Sequence, residues 1–259
     1  MTRTKLMTLV GTAALVAMTG AASAGDIMLG LHGGLCIPNL RGKDTDIFSR
    51  NFTSRQGPYF GLTADFALAS GFSLAVDLDY TSQGGKRAGM QPITMDLPDG
   101  LPLPPGTLLY ADFNNETILD YIEVPVLARY TFGRKVRAFL QAGPYAGYLV
   151  RAKALTAGTS ALFLDEAGTM PIVIPPATEP LQVDLGAETN VRDSLVKFNV
   201  GVAGGAGVLI PLGAGDLVLE ARFQLGLTTL QKDPDTDGHT QTGAIVVSLG
   251  YVLPFAHHK

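Results

Sequence analysis

The stretch Asp216-Leu217-Val218-Leu219-Glu220-Ala221-Arg222-Phe223-Gln224-Leu225-Gly226-Leu227-Thr228 decides how the chain folds. Leu217, Leu219, Ala221, Phe223, Leu225 and Leu227 fall on one face, and Glu220, Arg222, Gln224 and Thr228 on the other. Apolar residues at every second position have the period of a β-strand, whose side chains alternate between its faces, and not the period of about 3.6 of a helix. A strand with one apolar and one charged face needs different surroundings on its two sides.

Working outward, the same alternation returns. In residues 243–255, Ile245, Val247, Leu249, Tyr251, Leu253 and Phe255 oppose the small residues Ala244, Ser248 and Gly250. In residues 72–82, Phe72, Leu74, Val76, Leu78 and Tyr80 oppose Ser73, Asp77, Asp79 and Thr81, and Phe60, Leu62, Ala64, Phe66 and Leu68 oppose Tyr59, Thr63 and Asp65. Residues 26–35, 118–132, 136–151 and 196–210 share the two-faced character. The pattern predicts an all-β fold of about eight antiparallel up-and-down strands, an even number as in bacterial single-chain barrels.

Soluble barrels also alternate, so three further features decide which face is outside. The apolar face carries bulky Leu, Val, Ile and Phe, while the other is rich in Gly, Ala and short polar groups; a narrow eight-stranded lumen admits only small or tightly paired side chains. Connection lengths alternate: residues 69–71, 133–135 and 211–215 are tight turns, whereas 36–57, 83–117, 152–195 and 231–242 are long. That asymmetry matches short periplasmic turns and long external loops. The third feature is Ser248, Gly250, Leu253 and Phe255 near the end of the chain, which resemble the signal read by the barrel-insertion machinery. The chain has no Trp, so Tyr80, Tyr130, Phe132, Tyr148, Phe198, Tyr251 and Phe255 are expected to form the interfacial aromatic belts.

The first residues point to the compartment. Arg3 and Lys5 precede an apolar run, residues 6–18, and Ala22-Ser23-Ala24 supplies a small-residue cleavage box, so residues 1–24 are expected to be a cleaved secretory signal peptide and 25–259 one barrel domain. No later apolar run is long enough for a membrane helix, so membrane residence must be as strands. The single Cys36 excludes an intramolecular disulfide framework. A net charge of −4 without a Lys/Arg cluster argues against nucleic acid. The expected location is the outer membrane of a Gram-negative bacterium.

Gly30-Leu31-His32-Gly33-Gly34-Leu35, the segment from Tyr121-Ile122-Glu123-Val124-Pro125 to Tyr130, Ala142-Gly143-Pro144-Tyr145-Ala146-Gly147-Tyr148, and Glu220-Ala221-Arg222 with Gly226-Leu227-Thr228 together resemble the porin-family outer-membrane β-barrel domain, also called PorT-like. The resemblance covers nearly the whole chain after the leader. It implies a fold and a location, but no catalytic residues and no substrate.

The charges carry the chemistry. Asp77, Asp79, Glu123, Arg129, Arg137, Lys197, Glu220 and Arg222, with Asp65, fall on the inward faces of their strands. Charge in a low-dielectric lumen is costly unless paired, so these residues are expected to form interior salt bridges that plug the barrel; a proton or ion path through them is the alternative. Pro125, without an N–H, interrupts the ladder and should mark an edge-like site or a bulge. Catalysis on the rim would need a base, and His239, beside Asp235 and Asp237, is the one external-loop histidine to supply it. No catalytic residue is expected. Asp233, Asp235 and Asp237 in Asp-Pro-Asp-Thr-Asp-Gly match the opening of an oxygen-rich calcium loop, yet the twelfth position is Ala244 rather than Glu. The motif is either a weak calcium site or a polar turn, and no other cofactor is expected. The Pro-rich residues 97–106 and 170–181 read as extended surface segments, with the apolar part of the third loop either continuing the strands or forming a contact surface. The functional reading is a structural or surface-binding scaffold with a plugged lumen, the alternatives being a rim enzyme or a small-solute channel. Its partners would be outer-membrane lipid, the insertion machinery and an envelope or extracellular partner at the loops.

Overall fold

The computed structural model describes residues 27–42, 51–93, 104, 107–174, 176–232 and 239–255. The expected leader and Asp233, Asp235 and Asp237 lie outside them. The chain forms β1 (Ile27–Gly42), β2 (Gly57–Ala69), β3 (Phe72–Pro92), β4 (Tyr110–Gly133), β5 (Arg137–Ala157), the short β6 (Thr159–Ala161), β7 (Gln182–Asp184) and β8 (Ala187–Asn190), then β9 (Phe198–Leu212), β10 (Gly215–Gly226) and β11 (Thr240–Phe255).

Eight of these make one ring. β1 to β5 pair in order, β5 pairs with β9, and β9, β10 and β11 follow, all antiparallel. β11 returns to β1 in unbroken register from Ile27↔Phe255 to Gly42↔Thr240. Closure leaves the ring no unpaired edge, which is the condition for strands to stand in hydrocarbon. β2 and β3 are joined by Ser70-Gly71, and β9 and β10 by Gly213-Ala214; Gly71 (φ 80°) and Gly213 (φ 63°) supply the left-handed turn positions that side chains resist.

The two faces of the ring match the alternation. Leu31, Leu62, Leu140, Leu219, Phe223, Val247 and Leu249 are exposed on the outside, where lipid covers them. Two aromatic belts bound this band. Phe72, Tyr130 and Phe132 pack together at the short-turn end, while Phe60 stacks on Tyr80 and Tyr148 meets Phe198 edge-on at the other. From Phe72 to Tyr80 along β3, eight steps of about 3.3 Å, inclined by roughly 40°, give a band about 20 Å tall, of the order a barrel presents to lipid.

Inside, apolar layers close both ends. Phe139, Leu209, Val218 and Val252 pack near the short turns, and Leu40, Leu119, Tyr121, Leu149, Ala152 and Leu230 pack at the external end. Pro125 interrupts the β3–β4 ladder as its missing N–H requires. Pairing lapses between Val76↔Val126 and Asp79↔Glu123, with the register unchanged, and the bulge lies instead in β5, where Val150 is the extra residue opposite Asp120/Tyr121 of β4.

Two expectations need correction. Residues 83–92 and 110–117 are strand and not loop, since β3 and β4 stay paired from Gln83↔Leu119 to Pro92↔Tyr110 and carry the sheet well beyond the membrane. The first strand does not stop at residue 35; β1 continues to Gly42, and Cys36 is fully buried within it, against Tyr59, Ala244 and Val246.

If the long connections are external, a membrane-impermeant thiol reagent on intact cells should label Ala167→Cys in the third loop and leave Lys135→Cys in a short turn unlabelled, with buried Cys36 silent in both. Labelling at Lys135→Cys with Ala167→Cys silent would reverse the orientation.

Candidate functional site

Among the described residues, the lumen holds a dense cluster of charge. Inward positions of β3 hold Asp77 and Asp79, and inward positions of β10 hold Glu220 and Arg222, facing each other across the ring. Arg222 is 2% exposed and places all three guanidinium nitrogens on carboxylates: Nη2 donates to Asp77 Oδ2 at 2.6 Å, Nη1 to Asp79 Oδ2 at 3.3 Å and Nε to Glu220 Oε1 at 2.7 Å. A planar guanidinium suits this, because its donors point outward in a fixed fork.

Each acid is then held by others. Tyr59 donates its hydroxyl to Asp79 Oδ2 at 2.8 Å, and His32 Nε2 lies 2.8 Å from Asp79 Oδ1 while its ring stacks on Tyr59. Gln141 donates to Glu220 at 2.8 Å and accepts from Arg129 Nε at 2.9 Å. Arg129 Nη1 donates to Asp65 at 2.5 Å, and its guanidinium lies over the Phe139 ring, 4.4 Å from the centroid. Two glycines make the room. A Cβ on Gly61 would stand 2.3 Å from Asp79 Oδ1 and 2.8 Å from His32 Nε2, and one on Gly207 would stand 2.4 Å from the Phe139 ring.

The residues expected on the lumen face do not all join this cluster. Arg137 pairs with Asp216 at 2.5 Å near the short turns, apart from Arg222. Glu123 is fully buried but is met by neutral donors, Gln83 at 2.6 Å, Gln224 at 3.0 Å and Thr81 at 3.1 Å. Lys197 is a correction: it precedes β9, and its ammonium pairs with the exposed Asp193 at 3.2 Å, four residues back on the rim. Its parity with the inward residues of β9 has no force where the strand has not begun.

Alternation assigns a face but not the neutral partners. Gln83, Gln141, Gln224, Tyr59 and the pair of His32 with Asp79 come from other strands, and only the register brings them together. Near the external end Arg55 gives the same pattern, donating to Ser82, to the Gln83 carbonyl and to Glu116.

Chemically, this arrangement neutralises charge and fills space. A cavity of about 20 Å³ beside Arg222, lined among others by Thr63, Asp77, Glu220 and Ser248, is no larger than about one water needs. Asp77 Oδ1 and Thr63 Oγ1 have no protein partner, so a single water bridging them would complete their bonding.

The family model for the outer membrane protein beta-barrel domain matches residues 21–232. Among solved structures, the chain is similar to neisserial surface protein A, at 13% identity and TM-score 0.40 over 90% of this chain and 100% of that one. It is similar also to Ail, the attachment invasion locus protein of Yersinia pestis, at 12% and 0.38 over 88% and 100%. A third is the outer membrane protein OprG from Pseudomonas aeruginosa, at 8% and 0.40 over 90% and 98%. No curated protein matches.

Replacing Arg222 by Ala should cost about 3–5 kcal/mol, since it strands three buried carboxylates. Gly61→Ala should also destabilise by crowding His32 and Asp79. With no Trp to report, urea unfolding from lipid vesicles is followed by the mobility shift between folded and unfolded barrel on gels. An Arg222→Ala midpoint equal to the parent's would contradict the network's role.

Proposed function

The chain belongs to the outer membrane protein beta-barrel domain family and lies in the Gram-negative outer membrane; from that premise we propose that it is a closed scaffold that binds a partner through its external loops. The observation that carries the reading is a second apolar core outside the membrane. Leu109, Ala111, Phe113, Leu162, Ile172 and Leu185 bury one another there, with Ile93, Ile174, Leu181 and Val183 against them. A loop with its own core is ordered before it meets a partner, which lowers the entropic cost of binding.

The backbone supports this. Tyr110 and Phe163 exchange hydrogen bonds of 2.9 Å in both directions, so the third loop adds to the exposed flank of β4. Ile172 then donates to Leu162 at 2.8 Å and Leu181 to Ile172 at 2.9 Å. Asp165 ties off the hairpin tip by accepting from the Met170 N–H at 2.7 Å and the Thr169 N–H at 3.0 Å. Leu164, Met170 and Val173 remain exposed on this extension and form the proposed contact surface.

The lumen favours a scaffold over a channel or an enzyme: its charges are paired or hydrogen-bonded, the cavity beside Arg222 has the size of a water, and apolar clusters fill the lumen toward both ends. The reading includes removal of residues 1–24, delivery by the insertion machinery, and the narrower PorT-like resemblance. A weak calcium site at Asp233, Asp235 and Asp237 is a separate proposal, tested by calcium titration against Asp235→Asn.

Two measurements test the scaffold. The purified barrel in planar bilayers should show no reproducible conductance steps; steps abolished by Glu220 or Arg222 variants would establish a path through the lumen. Cross-linking on intact cells should capture a partner that is lost when Leu164, Met170 and Val173 are all changed to Ser. Equal capture by that folded variant would move binding elsewhere.

A further inference from the structure

We propose that the cavity beside Arg222 is a binding site for one dehydrated sodium ion, which clasps the strands on the two sides of the barrel's closure. It is a site inside the lumen and does not rest on the loop reading above.

The ligands are oxygens that the arginine network leaves unused. Thr63 of β2 stands directly opposite Asp77 of β3, and Glu220 of β10 directly opposite Ser248 of β11. All four line the cavity. A single guanidinium holds the two pairs across from each other, since Arg222 bonds Asp77 through Oδ2 and Glu220 through Oε1. The second oxygen of each carboxylate is not engaged in the same way. Asp77 is 2% exposed, and its Oδ1, like Thr63 Oγ1, is buried without a protein partner. Arg129 Nη2 lies 4.0 Å from Glu220 Oε2, too far for a hydrogen bond.

A water would complete the bonding of these oxygens but not balance their charge. Asp65, Asp77, Asp79, Glu123 and Glu220 share the middle of the lumen with the guanidiniums of Arg129 and Arg222, both already engaged on carboxylates. Among the described residues, the other basic group bonded to these acids is His32, on Asp79, so the acids outnumber the cations whether or not its ring is charged. Such a surplus in a dry lumen is costly unless a counter-charge joins it. The cavity of about 20 Å³ admits one body the size of a water, so the ion enters without its hydration shell, and oxygen ligands favour a hard cation. Calcium asks for about six to eight oxygens, and magnesium keeps several waters, more than these four side chains and this space supply. Sodium is small, hard and sheds its water more readily. Its ligands come from β2 and β3 on one side of β1 and from β10 and β11 on the other, so they converge only once β11 has closed on β1. The ion therefore binds the closed ring and not the unfolded chain, and favours folding by mass action.

The test uses the full barrel in lipid vesicles, unfolded by urea at constant ionic strength while sodium chloride replaces choline chloride stepwise. The folded fraction is read from the gel mobility shift. From a tenth of its half-saturating concentration to ten times that value, sodium should raise the folding equilibrium constant about tenfold; choline is too large for the cavity. Asp77→Asn should abolish the sodium dependence, whatever its own stability. The double variant Thr63→Val with Ser248→Ala keeps every charge and should shift half-saturation to roughly tenfold higher sodium or beyond. Equal stability of the parent in the two salts would overturn the proposal and leave an ordered water alone in the cavity. A sodium response unchanged in the folded double variant would also overturn it, by placing the ion elsewhere on the barrel.

Discussion

A guanidinium inside a ring of eight strands cannot keep its water, and the rest of the lumen is arranged around that constraint. Arg222 meets it by placing each nitrogen on a different carboxylate. Three acids around one arginine would leave uncompensated negative charge, so the surrounding groups share it. Arg129 approaches Glu220 at 4.0 Å and binds Asp65, Gln141 links Arg129 to Glu220, and Tyr59 and His32 attend Asp79. Breaking such a buried arrangement is costly in proportion to how little water can enter to replace it. The closed ends and the small cavity are therefore part of the same device as the ion pairs.

Closure also explains the division of labour along the chain. Once every backbone group in the membrane is paired within the ring, the membrane part is free to vary only by face: apolar outside, small or paired inside. Function is left to the parts beyond the membrane. β3 and β4 continue outward as a paired arm, the third loop joins that arm through Tyr110 and Phe163, and a separate apolar core holds them. Beside that arm, across the β4–β5 pairing, the segment between β8 and β9 sets Arg192 against Tyr148 of the aromatic belt.

Much of this was legible in the sequence, and the failures have physical reasons. Period-two alternation in residues 216–228 and 243–255 marks strands because lipid and lumen impose opposite demands on successive side chains. It disappears beyond Ser82, where both faces of the paired arm leave the membrane, so residues 83–92 and 110–117 read as loop although they are strand. Alternation also assigned Asp77, Asp79, Glu220 and Arg222 to the inner face, but face is not partnership. Arg222 and Asp77 are 145 residues apart, and only ring closure and register make them neighbours. Lys197 was misread because parity was extended past the start of β9. The Gly61 contact with His32 and Asp79 left no pattern at all, since a glycine that makes room looks like any other.

The central claim is that the lumen is held by the pairing of Arg222 rather than merely occupied by it. A double-mutant cycle tests this directly, with Arg222→Met, Asp77→Leu and the two combined, each unfolded by urea from lipid vesicles. The pairing predicts that the double variant is less destabilised than the sum of the singles, with a coupling of about 1–3 kcal/mol. Additivity within about 0.3 kcal/mol would mean that the two side chains do not sense each other, and would contradict the account.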